Sequence, residues 1–275
     1  MIVDAHLHVW RARPDHPEPA STSVSPCSDV PIELVKEYMA EHQVRRVILV
    51  QPLYPGEDNS YVADCVSADP DCFAAVCVVD PRKSQAAESL GYWGGERNCR
   101  GLRLRPLVPE ETACFGDPST FPLWEKAREL GTVISLLIGA DHLPTVASLA
   151  ERFPEVAMVI DHMGQPNIGE GVGSPSFQAL LDLSRYPQVF VKVSGYYYYS
   201  QQKYPYADCW DLFRALYARF GPRRLLWGSD FPHVLLHAGY RRTLLLQQRA
   251  YSFLTQEELG RIMGENAAEL YWAPA

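Results

Sequence analysis

The sequence IVDAHLHVW, at residues 2–10, decides how the rest of the chain is interpreted. In a β-strand alternate side chains point to opposite faces, so Asp4, His6 and His8 are predicted to share one face and the apolar residues the other. An apolar strand with one polar face is typical of a strand that lines a barrel. Two neutral imidazoles held side by side can bind one divalent metal ion. The alternative to a metal site is a short strand that carries two histidines by chance.

Length and composition indicate one large globular domain, which we place at residues 1–275. The chain has 275 residues, of which 47% are hydrophobic and 21% are charged, enough for a sizeable core. Its formal net charge of -8 argues against binding to nucleic acid or to an anionic membrane surface, because both attract basic proteins. We therefore expect a small anionic metabolite as partner.

Cysteine usage and the N-terminal sequence favour a cytoplasmic protein. The seven cysteines are an odd number without a Cys-x-x-Cys pair, so we expect reduced thiols. No apolar run approaches the roughly 18 residues of a membrane span, and the N-terminus lacks the pattern of a signal peptide. A homo-oligomer is compatible with these features.

Strand and helix patterns alternate along the chain. The eight predicted strands are residues 2–9, 44–51, 73–79, 100–105, 132–138, 156–162, 189–194 and 225–230. The predicted helices include residues 31–42, 118–130, 143–153, 176–186 and 209–220. Eight such units in about 250 residues match a single (β/α)8 TIM barrel. The competing doubly wound sheet would carry Gly-x-Gly-x-x-Gly after its first strand, and this sequence does not.

Two long insertions follow predicted strands. Residues 11–30 are rich in Pro and Ser, and residues 164–175 are rich in Gly. Both lie at the carboxyl end of a strand, where TIM barrels build their active sites. The chain ends in a predicted helix at residues 255–272, with Thr255 as N-cap and Glu258 completing a capping box.

Strand parity collects polar residues that are predicted to point into the barrel. They are His6, His8, Arg103, Arg105, His162, Lys192, Ser194 and Asp230. Burial of unpaired charges is costly, so this set needs a metal ion, mutual pairing or a charged ligand. The three histidines and Asp230 offer the N and O ligands of a divalent ion such as zinc or manganese. Gln51, Tyr196 and His233 are further candidates for substrate binding, and His233 follows Asp230 by three residues.

Several of these polar residues can also have a purely structural role. His162 can be a hydrogen-bonded core histidine, and Asp230 can form an Asx turn or a helix cap. The arginines can pair with carboxylates such as Asp4, and Lys192 can pair with Asp230. The tyrosines at residues 196–199 can form a packed loop or a binding wall.

Four motifs, in this order, resemble the family-2 branch of the amidohydrolase superfamily, which includes lactonases and related decarboxylases. They are DAHLH at residues 4–8, DHMG at 161–164, GSDFPH at 228–233 and GENAA at 264–268. The resemblance spans nearly the whole chain. It implies an amidohydrolase-type barrel, a catalytic cluster of His6, His8, His162 and Asp230, and Arg103 as a contact for a substrate carboxylate. The fifth strand lacks the histidine and lysine of a two-metal centre, which favours one ion, and metal-independent catalysis is an open alternative.

The first functional hypothesis is a hydrolase that opens the ring of a small carboxylated lactone. In it the three histidines hold a divalent ion, most simply zinc, or polarise the carbonyl, while Asp230 acts as base and Arg103 and Arg105 clamp a carboxylate. The second hypothesis is metal-dependent, non-oxidative decarboxylation of an aromatic or unsaturated acid. A third is a non-catalytic binding barrel, which would be expected to have lost Asp230 or the histidines.

Overall fold

Eight parallel strands, hydrogen-bonded in chain order, form the barrel in the computed structural model. The structure describes residues 1–12, 28–52, 56–106 and 114–272. The strands are β1 (Ile2–Leu7), β2 (Val44–Val50), β3 (Phe73–Val78), β4 (Gly101–Leu104), β5 (Val133–Leu136), β6 (Met158–Ile160), β7 (Val189–Val193) and β8 (Leu225–Trp227). All eight predicted strands are present, which confirms the (β/α)8 TIM barrel. Each ends earlier than predicted, because the residues at its carboxyl end leave the sheet.

The barrel closes between β1 and the segment that follows β8. The His8 amide donates to the Phe231 carbonyl at 2.7 Å, and the Asp230 amide donates to the His6 carbonyl at 2.8 Å. Gly228 permits this approach, because a Cβ atom there would lie 2.7 Å from the His6 Cβ. The segments that carry the predicted catalytic histidines and aspartate are therefore joined through their backbones.

Helices follow the strands and pack on the outside of the barrel. In the described residues they are α1 (Ile32–His42), α2 (Ser60–Ala68), α3 (Ala86–Leu90), α4 (Phe121–Leu130), α5 (Leu143–Arg152), α6 (Pro175–Asp182), α7 (Tyr196–Tyr199), α8 (Trp210–Phe220), α9 (Tyr240–Ala250), α10 (Gln256–Gly260) and α11 (Asn266–Trp272). A wider π-type segment, Arg261–Glu265, joins α10 to α11. The predicted capping box of Thr255 and Glu258 is present. No helix among the described residues is long and apolar enough to span a membrane.

Apolar side chains form an inner and an outer layer. The strand residues of the inner layer, which fill the lumen, are Val3, Ala5, Ile48, Val50, Ala74, Val76, Val133, Val159 and Leu226. Ala267 and Tyr271 of α11 pack against them from the amino-terminal end of the barrel. The outer layer joins the strands to the helices. This packing fills the lower lumen and leaves its carboxyl end for polar side chains.

The strand parity of β1 differs from the prediction. The pairing of β1 with β2 shifts register between Asp4 and Leu7, as expected for a β-bulge with one extra residue in β1. Val3 and Ala5 consequently line the lumen, whereas Asp4 Oδ2 accepts a hydrogen bond from Tyr240 of α9 at 2.8 Å. The prediction that Asp4 shares a face with the two histidines is wrong, because simple alternation assumes a regular strand.

Of the two predicted insertions, the structure describes the second in full and the first only at its ends. Trp10 and Val30 pair through their backbones at 2.9 and 3.0 Å, and residues 13–27 between them, including Cys27, lie outside the described residues. The second insertion includes the short helical turn Ile168–Glu170. The described cysteines are free thiols.

Candidate active site

His6 and His8 lie at the carboxyl end of β1 with their ring centroids 5.0 Å apart. Both are buried. The His8 Nδ1 lies 2.7 Å from the Val50 carbonyl oxygen. A carbonyl only accepts hydrogen bonds, so Nδ1 carries a proton and the Nε2 of the neutral ring keeps its lone pair. The His6 Nε2 is buried and has no hydrogen-bond partner among the described residues.

His162 reaches the same place by an irregular backbone. By strand alternation His162 would point to the same side as Ile160, which belongs to the outer layer. However, His162 adopts the left-handed conformation at φ 50° and is buried. Its Nδ1 lies 2.8 Å from the Ser194 Oγ at the end of β7, which leaves Nε2 available to a ligand. Gly195, at φ 71°, accommodates the ring, since a Cβ there would lie 3.0 Å from the His162 Nδ1.

Asp230 follows β8 and faces the histidines with one carboxylate oxygen. Oδ1 lies 3.3 Å from the His8 Nε2 and 3.7 Å from the His6 Nε2. Oδ2 accepts a hydrogen bond from the Tyr197 hydroxyl at 2.5 Å. Burial opposes the charge of Asp230, but the three surrounding histidines outweigh it and hold the pKa of this carboxyl well below its usual value. Asp230 is therefore a carboxylate at neutral pH.

We refer to His6, His8, His162 and Asp230 as the His/Asp cluster. Ligand atoms of His6, His162 and Asp230 all lie within 4.8 Å of one another. The unpartnered His6 Nε2 and the Nδ1 contacts of the other two rings are the features expected of histidines that bind a metal through Nε2. This set of N and O donors fits one divalent ion.

Beneath the cluster, Asp161 binds two cations. Its Oδ2 lies 3.0 Å from the Arg103 Nε, and its Oδ1 lies 2.9 Å from the Lys192 Nζ. Burial would raise the pKa of Asp161, but Lys192, His6 and Arg103 outweigh it and hold the pKa well below its usual value. Burial lowers the pKa of Lys192, and the charge of Asp161 partly offsets this. We call Asp161, Arg103 and Lys192 the buried ion cluster.

The two clusters meet at His6. The His6 Nδ1 lies 3.2 Å from the Lys192 Nζ and 3.5 Å from the Asp161 Oδ1. Burial, with the positive charge of Lys192, lowers the pKa of His6 well below its usual value, and burial also lowers the pKa of His162. These rings are therefore neutral at physiological pH, which is the form that binds metal.

The other residues predicted to bind substrate lie at different distances from the cluster. The His233 ring is 5.5 Å from the His8 ring, and burial lowers its pKa to about 4. Arg105 follows β4 and is half-buried. The Gln51 Nε2 donates to the Asp58 carbonyl at 3.0 Å, and the Tyr196 hydroxyl hydrogen-bonds that of Tyr251. Gln51 and Tyr196 thus contact neighbouring loops through these groups.

Sequence reasoning missed two residues of the site, Asp161 and Tyr197, and considered other partners for two more, Lys192 and Arg103. Asp161 shares the inward parity of Val159, so strand parity could have identified it beside His162. Lys192 and Arg103 both pair with Asp161, whereas pairing with Asp230 and Asp4 was considered from the sequence. No sequence signal distinguishes Tyr197 from its neighbouring tyrosines, because only the geometry of α7 decides which hydroxyl reaches Asp230.

Known proteins resemble this chain over almost its whole length. It is 29% identical over 279 residues to an L-fucono-1,5-lactonase from Burkholderia ambifaria, covering 98% of this chain and 94% of that protein. It is 29% identical over 233 residues to a 4-sulfomuconolactone hydrolase from Hydrogenophaga intermedia, covering 84% and 74%. A solved amidohydrolase from Burkholderia multivorans with bound zinc superposes at a TM-score of 0.85, with 25% identity and 100% of each chain covered.

The family comparison agrees with the fold and with the order of the motifs. A family model described as amidohydrolase matches residues 3–272, a range that includes the whole His/Asp cluster and the buried ion cluster. The chain belongs to the amidohydrolase family.

Proposed function

We propose that this protein hydrolyses a small carboxylated lactone, with the His/Asp cluster as its catalytic site and one divalent ion, zinc, held by His6, His8, His162 and Asp230. The observation that carries the proposal is the convergence of three buried imidazoles and one ionised carboxylate at the carboxyl end of the barrel. The names of the two lactone-hydrolysing relatives support this reaction class.

The ion, when bound, supplies Lewis-acid polarisation of the lactone carbonyl and lowers the pKa of water. Asp230 supplies the base. As water attacks the carbonyl carbon, Asp230 takes a proton from it, the ring C–O bond breaks, and Asp230 returns the proton to the leaving oxygen. A carboxylate with a depressed pKa is a weak base in solution. The catalytic effect of Asp230 therefore comes from its being held beside the reacting water.

Substrate recognition is assigned to Arg103, with Arg105, Lys192, Ser194, His233, Gln51 and Tyr196 as further candidates. Arg103 uses Nε to bind Asp161 at 3.0 Å, and the described residues provide no second carboxylate partner for its guanidinium. A guanidinium with free N–H groups binds a carboxylate through charge-assisted hydrogen bonds. An anionic substrate fits this arrangement better than a neutral lactone.

The test of the proposal is a comparison of two reactions on purified, zinc-loaded protein. Carboxylated and neutral lactones are assayed for ring opening, which releases one acid equivalent per ring, and aromatic carboxylic acids are assayed for release of carbon dioxide. We expect ring opening with a preference for carboxylated lactones. Decarboxylation without ring opening would instead support the second hypothesis, in which the ion anchors the carboxylate that is lost.

A further inference from the structure

Tyr197 binds the oxygen of Asp230 that the histidines leave free. Oδ1 faces His8 and His6 at 3.3 and 3.7 Å, whereas Oδ2 accepts the hydrogen bond from the Tyr197 hydroxyl at 2.5 Å. The two carboxylate oxygens therefore have different partners. A carboxylate bound in this way cannot rotate to exchange its oxygens without breaking the phenol hydrogen bond.

The ring of Tyr197 is itself fixed. It stacks on His237 at a centroid distance of 4.3 Å and an interplanar angle of 20°, and it contacts Tyr198 at 4.3 Å. His237 follows β8 and Tyr197 follows β7, so the stack joins two loops at the mouth of the barrel. A side chain held by a stack on one side and a tilted ring contact on another loses little further freedom when it donates a hydrogen bond.

We propose that Tyr197 is a positioning residue that orients Asp230 so that Oδ1 faces the ion and the attacking water. The expected effect on catalysis rests on the proposed function, whereas the expected effect on metal binding is measured separately. Hydrogen-bond partners of ligating residues fix the ligand, and their removal typically lowers metal affinity about 10- to 100-fold. The neighbouring Tyr196 hydroxyl binds Tyr251 instead, so Tyr196 does not hold this oxygen.

The test compares Tyr197→Phe with the control Tyr199→Phe. Both remove one hydroxyl from a partly buried ring, but within the part of the chain that the structure describes Tyr199 donates no hydrogen bond to Asp230, and its ring lies 6.1 Å from that of Tyr198. Zinc affinity is measured by competition with a chromophoric chelator, and kcat and KM are measured on a carboxylated lactone. We expect Tyr197→Phe to weaken zinc binding at least about 10-fold and to lower kcat more than it changes KM, with Tyr199→Phe close to wild type.

Equal zinc affinity and equal kcat in Tyr197→Phe and wild type would overturn the inference. If Tyr197→Phe does not fold, Tyr197→Met is the second variant without a hydroxyl, and the same comparison applies. A double-mutant cycle with Asp230→Ala adds a further check, because Tyr197→Phe should cause no additional loss of zinc affinity once its partner is absent. Wild-type protein that binds zinc but opens no lactone would contradict the proposed function and leave the zinc comparison valid.

Discussion

Asp161 accounts for the burial of two positive charges below the catalytic residues. It contacts Lys192 at 2.9 Å and Arg103 at 3.0 Å, and all three side chains are buried. A buried pair is costly to break, because loss of one partner leaves the other charge uncompensated. With two cations on one carboxylate the buried ion cluster has a formal charge of +1, which the carboxylate of Asp230 above it balances.

The replacement Arg103→Met tests recognition of the substrate carboxylate. Lys192 remains to neutralise Asp161, so we expect the fold to persist and KM for a carboxylated lactone to rise. Loss of one partner from a buried charge pair is worth about 2 to 5 kcal/mol, which sets the scale of the effect. The measurement is kcat/KM on the acid and on its methyl ester. Equal losses on both substrates would show that Arg103 supports the barrel and does not contact the carboxylate.

Among the secondary-structure elements, the strands bring the site together by departing from regular geometry. A β-bulge in β1 separates Asp4 from the histidines. After β6, the left-handed backbone of His162 turns its side chain inward next to Asp161. Asp230 is also left-handed, at φ 60°. Such conformations are uncommon for residues other than glycine and concentrate at functional sites.

These departures explain which features the sequence could predict. The apolar runs predicted all eight strands, and the motifs predicted that His6, His8, His162 and Asp230 converge. Period-two alternation, as assigned from the sequence, placed His162 inside the barrel and Asp4 beside the histidines. The inward position of His162 instead depends on its left-handed backbone, and the outward position of Asp4 on the bulge in β1. Pairing partners could not be predicted either, since they depend on the register of strands that are far apart in sequence.

The replacement Gly228→Ala tests the close contact between β1 and the segment after β8. A Cβ atom at this position would lie 2.7 Å from the His6 Cβ and 2.9 Å from the His6 backbone nitrogen. We expect Gly228→Ala to displace His6, to destabilise the fold by about 1 to 3 kcal/mol as overpacking does, and to lower zinc affinity. Denaturant unfolding and chelator competition measure the two effects. Wild-type values for both would mean that the contact relaxes without moving His6.

At the scale of the whole molecule, charge is distributed unevenly. The chain has a formal net charge of -8, yet the barrel end that carries the His/Asp cluster also contains Arg103 and Lys192. The net negative charge of the chain disfavours nucleic acid, while the positive groups at this end of the barrel, Arg103 and Lys192, are balanced by the carboxylates of Asp161 and Asp230. The lower lumen is packed with apolar side chains, which leaves the carboxyl end as the place for a ligand.

The replacement Asp230→Asn tests the central claim most directly, because it keeps the size of the side chain and removes the base. Steady-state ring opening of a carboxylated lactone is measured for the variant and for wild type, with a melting curve for each. We predict a fall in kcat of about 10²- to 10⁴-fold with a melting temperature close to wild type. A variant with nearly wild-type kcat and a normal melting curve would contradict the assignment of Asp230 as the catalytic base.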